Sequence, residues 1–116
     1  IGALQAVRSV CTGTAIFVDA IDLALSLLPG GRPLASLDGR GRPWWWKPNV
    51  AALVRMAEAA GFEVVGDPRR LFLPSGAGQP AHELSWRSVL RRSLIDAPAR
   101  SHRGDPHCAI TARPVG

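Results

Sequence analysis

Apolar positions along the chain change period several times, and each change predicts an element. In residues 2–11, GALQAVRSVC, a helical spacing puts Leu4, Val7 and Cys11 on one face with Ala3 and Val10 beside them, and Gly13 can close the helix. Ala15, Ile16, Phe17 and Val18 then form an unbroken apolar run, the pattern of a strand covered on both faces as in a parallel sheet. Asp19 and Asp22 fall just past its carboxyl end. Asp22 is placed to cap the short apolar helix LALSLL, which PGG stops.

From Pro29 to Pro48 glycine, proline and arginine dominate, and PLASL is the one short strand this connection predicts. The clearest helix starts at Asn49: Val50, Leu53, Val54 and Ala57 recur at i, i+3, i+4 and i+7, with Arg55 and Glu58 outside. Gly61 suits a left-handed cap that folds Phe62 back on Ala57. A strand FEVV, a turn GDP, a strand RRLFLP and a loop tip SGAGQP follow. A helix over 83–95 carries Leu84, Val89, Leu90 and Leu94, with Arg87, Arg91 and Arg92 on its solvent side. The loop DAPARSHRGDP leads to a terminal strand, HCAITARPV.

Strands alternating with helices predict an α/β layered sheet. The 116 residues suit one small domain, which buries roughly two thirds of the surface its unfolded chain exposes. A minimum of three strands is thin for such a sheet, however, and a strand like 14–18 wants parallel neighbours. Since the chain begins at Ile1 and its one methionine is Met56, the expectation is a piece of a longer protein.

Composition adds little. The net charge of +5 comes from thirteen arginines and a single lysine, Lys47. That skew accompanies abundant alanine, glycine and proline and reflects codon bias as much as a polyanionic partner. Cys11 and Cys108 are far apart and in no C-x-x-C pattern, so they read as reduced cytosolic thiols. No apolar stretch approaches 18 residues and no signal-peptide pattern precedes the first helix, so a cytoplasmic protein without a membrane partner is expected.

There is no G-x-G-x-x-G after a strand, no P-loop, no G-x-S-x-G and no H-E-x-x-H. His82, His102 and His107 have no metal-ligand spacing, and a strand turns His107 and Cys108 to opposite faces, so no metal site is expected. Asp19 is a candidate because open α/β sheets bind ligands beyond the carboxyl ends of strands; a polar strand end or local cap is its plain alternative. In RPWWWKPN an extended segment sets Trp44 and Trp46 on one side, to pack beneath the Asn49 helix, and Trp45 on the other, toward a cleft or solvent. An indole left open stacks on a base with about 1–3 kcal/mol. Lys47 and Asn49 stand near a helix N-terminus that favours anions, although Asn49 also fits a simple N-cap.

Two stretches, LQAVRSVCTGTAIFVDAIDLAL and GRPWWWKPNVAALVRMAEAAGFEVV, resemble the second half of class I S-adenosylmethionine-dependent methyltransferases. WWWKPN and AAGFEVV are the most specific parts. The nearest similarity is to the branch that includes the tRNA wobble-uridine methyltransferases of 5-oxyacetyluridine formation, where a helix like SWRSVLRRSLID also precedes a last strand like CAITARP. The resemblance implies the C-terminal part of a Rossmann-like sheet ending in an antiparallel strand, with residues 1–116 as the C-terminal portion of one methyltransferase domain. The glycine-rich and acidic motifs that hold S-adenosylmethionine in the family have no counterpart here. They are expected upstream, so this piece is expected to be inactive alone.

His107 stands where the wobble-uridine enzymes are expected to carry a basic residue, so the implication stops at methyl transfer. Residues 29–48 would arch over the substrate side, where a small molecule or tRNA accepts the methyl group. Asp19, Trp44, Trp45, Trp46 and Lys47 are the implied substrate-side residues, and no general base is identifiable. The alternative is a non-enzymatic basic module that binds RNA through the WWWK segment.

Overall fold

A computed structural model describes residues 1–38, 45–73 and 105–116. They form a small mixed α/β domain with antiparallel sheets. In chain order the elements are α1 (Gly2–Val10), β1 (Ala15–Ala20), α2 (Leu23–Ser26), β2 (Ala35–Asp38), β3 (Trp45–Pro48), α3 (Val50–Ala59), β4 (Phe62–Val64), β5 (Arg69–Leu73) and β6 (Asp105–Pro114). The helix expected over 83–95 lies outside the described residues, as do the tip at 75–80, His82 and His102.

The terminal strand β6 is the centre of the main sheet. One of its edges pairs antiparallel with all of β1, from Ala15 opposite Ala112 to Ala20 opposite His107. Its other edge takes β4, with Phe62 opposite Pro114, and then β5, with Arg69 opposite Ala109. Since β1 and β4 both oppose β6, they run parallel to each other with β6 between them. Between β4 and β5 the chain bulges, residues 65–68 facing residues 110–111, and Gly66 takes the positive φ of 74° that this detour needs.

The parallel neighbours expected for β1 are not among its pairings: its partner among the described residues is the antiparallel β6. Nor is β1 covered on both faces. Alternation sends Phe17 inward, where its ring meets Phe62 edge-on at 5.0 Å. Ile16 and Val18 point to the opposite face, 69% and 50% exposed. The continuous apolar run concealed this asymmetry because the described helices pack on one face of the sheet.

That covered face holds the core. Leu53, Ala57 and Ala60 of α3 meet Ile21, Phe62, Cys108, Ile110 and Ala112, with Leu4 and Cys11 packed at the margin. Gly61 at φ 89° ends α3 and returns the chain as Phe62, in agreement with the sequence pattern. α1 is held by Arg8, whose Nε donates to the Gly61 carbonyl at 3.0 Å and whose second guanidinium nitrogen donates to the Val115 carbonyl. Those bonds compensate for an amphipathic face that stays shallow, with Val10 79% exposed.

Candidate functional site

Three chain segments meet at the carboxyl end of β1. The Ile21 N–H donates to the Pro106 carbonyl at 3.0 Å, joining the end of β1 to the start of β6. The next N–H, of Asp22, donates to the Pro48 carbonyl at 2.9 Å, which ties the same point to the end of β3. Residues 19–22, 47–49 and 105–107 are thereby neighbours although the sequence separates them widely.

Side chains reinforce the junction. Asp22 caps α2, its Oδ1 accepting from the Leu25 N–H at 3.0 Å, and its Oδ2 accepts from the Ser36 hydroxyl at 2.7 Å. The Ser26 hydroxyl donates to the Asp22 carbonyl at 2.7 Å and accepts from the Val50 N–H at 3.1 Å, linking α2 to the first turn of α3. Asn49 is buried and uses its whole amide. Its Oδ1 accepts from the Ala52 N–H at 2.8 Å and the Leu34 N–H at 3.0 Å, while Nδ2 donates to the Arg32 and Leu25 carbonyls at 2.8 and 3.3 Å. With every donor and acceptor used, Asn49 builds the site and has none left for a ligand.

Of the sequence candidates, Asp19 lies at the end of β1 and is exposed, its Oδ1 accepting from the Ala20 N–H at 2.8 Å. Trp44 and the side chain of Trp45 lie outside the described residues; the Trp45 backbone pairs with Asp38. Trp46 does not pack beneath the helix. The segment is one strand of an antiparallel ribbon, β2–β3, in which Ser36 opposes Lys47 and Leu37 opposes Trp46. Because the Ser36 hydroxyl is drawn to Asp22, the Ser36–Lys47 face turns toward α2 and the alternate face turns outward. Trp46 is therefore 66% exposed beside Leu37, itself 50% exposed, while Lys47 is half-buried on the inner face.

On the helix-covered face of the main sheet, Asp19, Cys108 and Arg70 form one cross-strand row, since Cys108 is the register partner of both. The Cys108 thiol is fully buried, and burial pushes its pKa up against a smaller opposing pull from the Arg70 guanidinium. His107 is on the other face, half-buried, its Nδ1 2.9 Å from the Asp105 carbonyl. Among the described residues no group of three or more His, Cys, Asp or Glu side chains could hold a metal ion, and no helix is long and apolar enough to cross a membrane.

Sequence spacing marks Asp22 and Asn49 as caps, but not the bond from Ser36 to Asp22 or the row through Arg70. Those contacts span separations at which periodicity carries no signal. Comparison of the chain with protein families, with curated proteins and with solved structures found no match.

Proposed function

We propose that this chain is the acceptor-side, C-terminal half of a methyltransferase domain that uses S-adenosylmethionine. The observation that carries the reading is the strand arrangement: two strands, β1 and β4, that are parallel to each other, with the last strand of the chain inserted antiparallel between them. The resemblance to class I methyltransferases implies a sheet that ends in an antiparallel strand, and β6 is such a strand. Ligands of open α/β sheets bind beyond the carboxyl ends of the strands, and Asp19 lies at that end of β1, where residues 47–49 are joined to it through Asp22 and Pro48.

The described residues do not form a cradle for the cofactor. Their positive-φ glycines, Gly30, Gly31, Gly61 and Gly66, do not open a helix directly after a strand, whereas phosphate- and nucleotide-binding turns do. The proposal therefore assigns cofactor binding to an upstream half and acceptor positioning to this one. Asp19 offers an exposed carboxylate and Trp46 an indole face on which a planar acceptor can stack, a small molecule or a tRNA base.

The test is to extend the chain with the coding sequence upstream of Ile1 and to titrate S-adenosylmethionine by calorimetry. Saturable binding by the extended protein, and none by residues 1–116, is the expected result. An upstream region with no strand followed by a glycine-rich turn, or an extended protein that takes up no cofactor, overturns the reading.

The exposure of Trp46 favours a second reading, a non-enzymatic RNA-binding module. It requires residues 1–116 alone to bind single-stranded RNA with steep salt dependence and to lose that binding in Trp46→Ala. Binding that is absent, or insensitive to salt, removes this reading.

A further inference from the structure

Beside α3 lies an open groove of about 460 Å³, within the size range of small-molecule sites. Val50 and Val54 of α3 and Pro68 of the β4–β5 bulge give it apolar lining, and Arg55, Glu58 and Arg70 give it charge. The charges do not cancel. Arg55 Nη1 is 3.1 Å from Glu58 Oε2, so these two neutralise each other on the helix. Among the described residues Arg70 has no hydrogen bond or ion pair. Asp19, the other charged member of its cross-strand row, is two strand spacings away, roughly 10 Å between backbones, and its Oδ1 is engaged with the Ala20 N–H.

A guanidinium with no ion-pair partner among the described residues, beside an apolar surface, selects for a particular chemistry. Guanidinium binds carboxylate and phosphate alike through paired hydrogen bonds. Among the described lining residues the surplus is a single positive charge and Glu58 lies in the same groove, which favours a monoanion over a dianion. The valines and Pro68 need an apolar body to cover them. We infer that the groove beside Arg70 binds a small carboxylate with an apolar, ring-sized body. The inference goes beyond the methyl-transfer reading and stands without it, because it concerns binding by residues 1–116 in the absence of cofactor.

The experiment is a titration of the ¹⁵N-labelled chain with three probes: phenylacetate, its neutral isostere phenylacetamide, and inorganic phosphate. Phenylacetate is expected to give saturable shifts at the amides of Val50, Val54 and Arg70, with affinity about tenfold above that of either other probe. Arg70→Gln, an exposed substitution, is expected to lower phenylacetate affinity about tenfold, and Val54→Phe to block it by filling the groove. If phenylacetate gives no saturable shifts, if the amide or phosphate binds as tightly, or if Arg70→Gln binds unchanged, the inference is wrong. Retention of the wild-type spectrum away from the groove shows that each variant is folded.

Discussion

Asn49 and Leu34 are joined twice: the Asn49 N–H donates to the Leu34 carbonyl at 2.8 Å, and the Leu34 N–H donates back to Asn49 Oδ1 at 3.0 Å. This reciprocal pair closes the connection between β1 and α3 on itself, and the same side chain caps the helix. Residues 32–38 and 45–49 thereby become a fixed part of the site.

Asn49→Ala removes the cap and leaves the Leu34 N–H and two backbone carbonyls without their partner. A lost cap costs about 1 kcal/mol, and the three groups left without it, part-buried and within reach of water, add about 1–3 together. The expected loss is about 2–4 kcal/mol in urea denaturation. Asn49→Asp restores the acceptor but sets a carboxylate against the Arg32 and Leu25 carbonyls, so it should recover only part of that stability. Full recovery by aspartate would show that the two donated bonds contribute nothing.

Ser36 fixes the orientation of the ribbon through its 2.7 Å bond to Asp22. Ser36→Ala should cost about 1 kcal/mol and free the β2–β3 ribbon to turn. Trp46 fluorescence would report the change best with the other tryptophans replaced by phenylalanine. An emission spectrum and quenching constant identical to those of the parent would count against this tether.

The two faces of β1 and its neighbours should differ sharply in their response to mutation. Phe62→Ala deletes a fully buried ring that meets Phe17, and large-to-small changes of this kind cost about 3–5 kcal/mol. Ile16→Thr, on the exposed face, should stay within about 0.5 kcal/mol while improving solubility at high concentration. A large destabilisation by Ile16→Thr, measured by thermal melting of residues 1–116, would mean that this face is covered.

Cys108 should be inert while the chain is folded. Burial raises its pKa, so iodoacetamide at pH 8 is expected to label Cys11 and to reach Cys108 only in denaturant. The linkage has a definite sign. Below the unfolded thiol value, about 8.5, both states keep the proton and the group is silent. As pH rises past it the unfolded state ionises first and binds fewer protons, so stability falls. Cys108→Ala should be less stable at pH 7 yet show a shallower decline above pH 9, followed by urea midpoints across the range.

The sequence by itself determined most of the local structure. Asp22 and Asn49 stand as N-caps where residue type and position indicated, Gly61 ends α3 in the left-handed region, and the apolar spacing of α3 faces the core. These are short-range effects, because capping geometry, backbone freedom and helical periodicity each involve residues a few positions apart.

Only the tertiary structure decided which strands pair and which faces are covered. β6 could be recognised as a strand, but its insertion between β1 and β4 depends on contacts from opposite ends of the chain. The apolar run of β1 looked alike on both sides, and one face proved exposed. Trp46 was expected inside and is outside, because strand alternation leaves two choices and a hydroxyl on the neighbouring strand selected one. Arg70 carried no sequence signal at all: its place beside Cys108 and the groove comes from β5 pairing with β6, a relationship that no local pattern encodes.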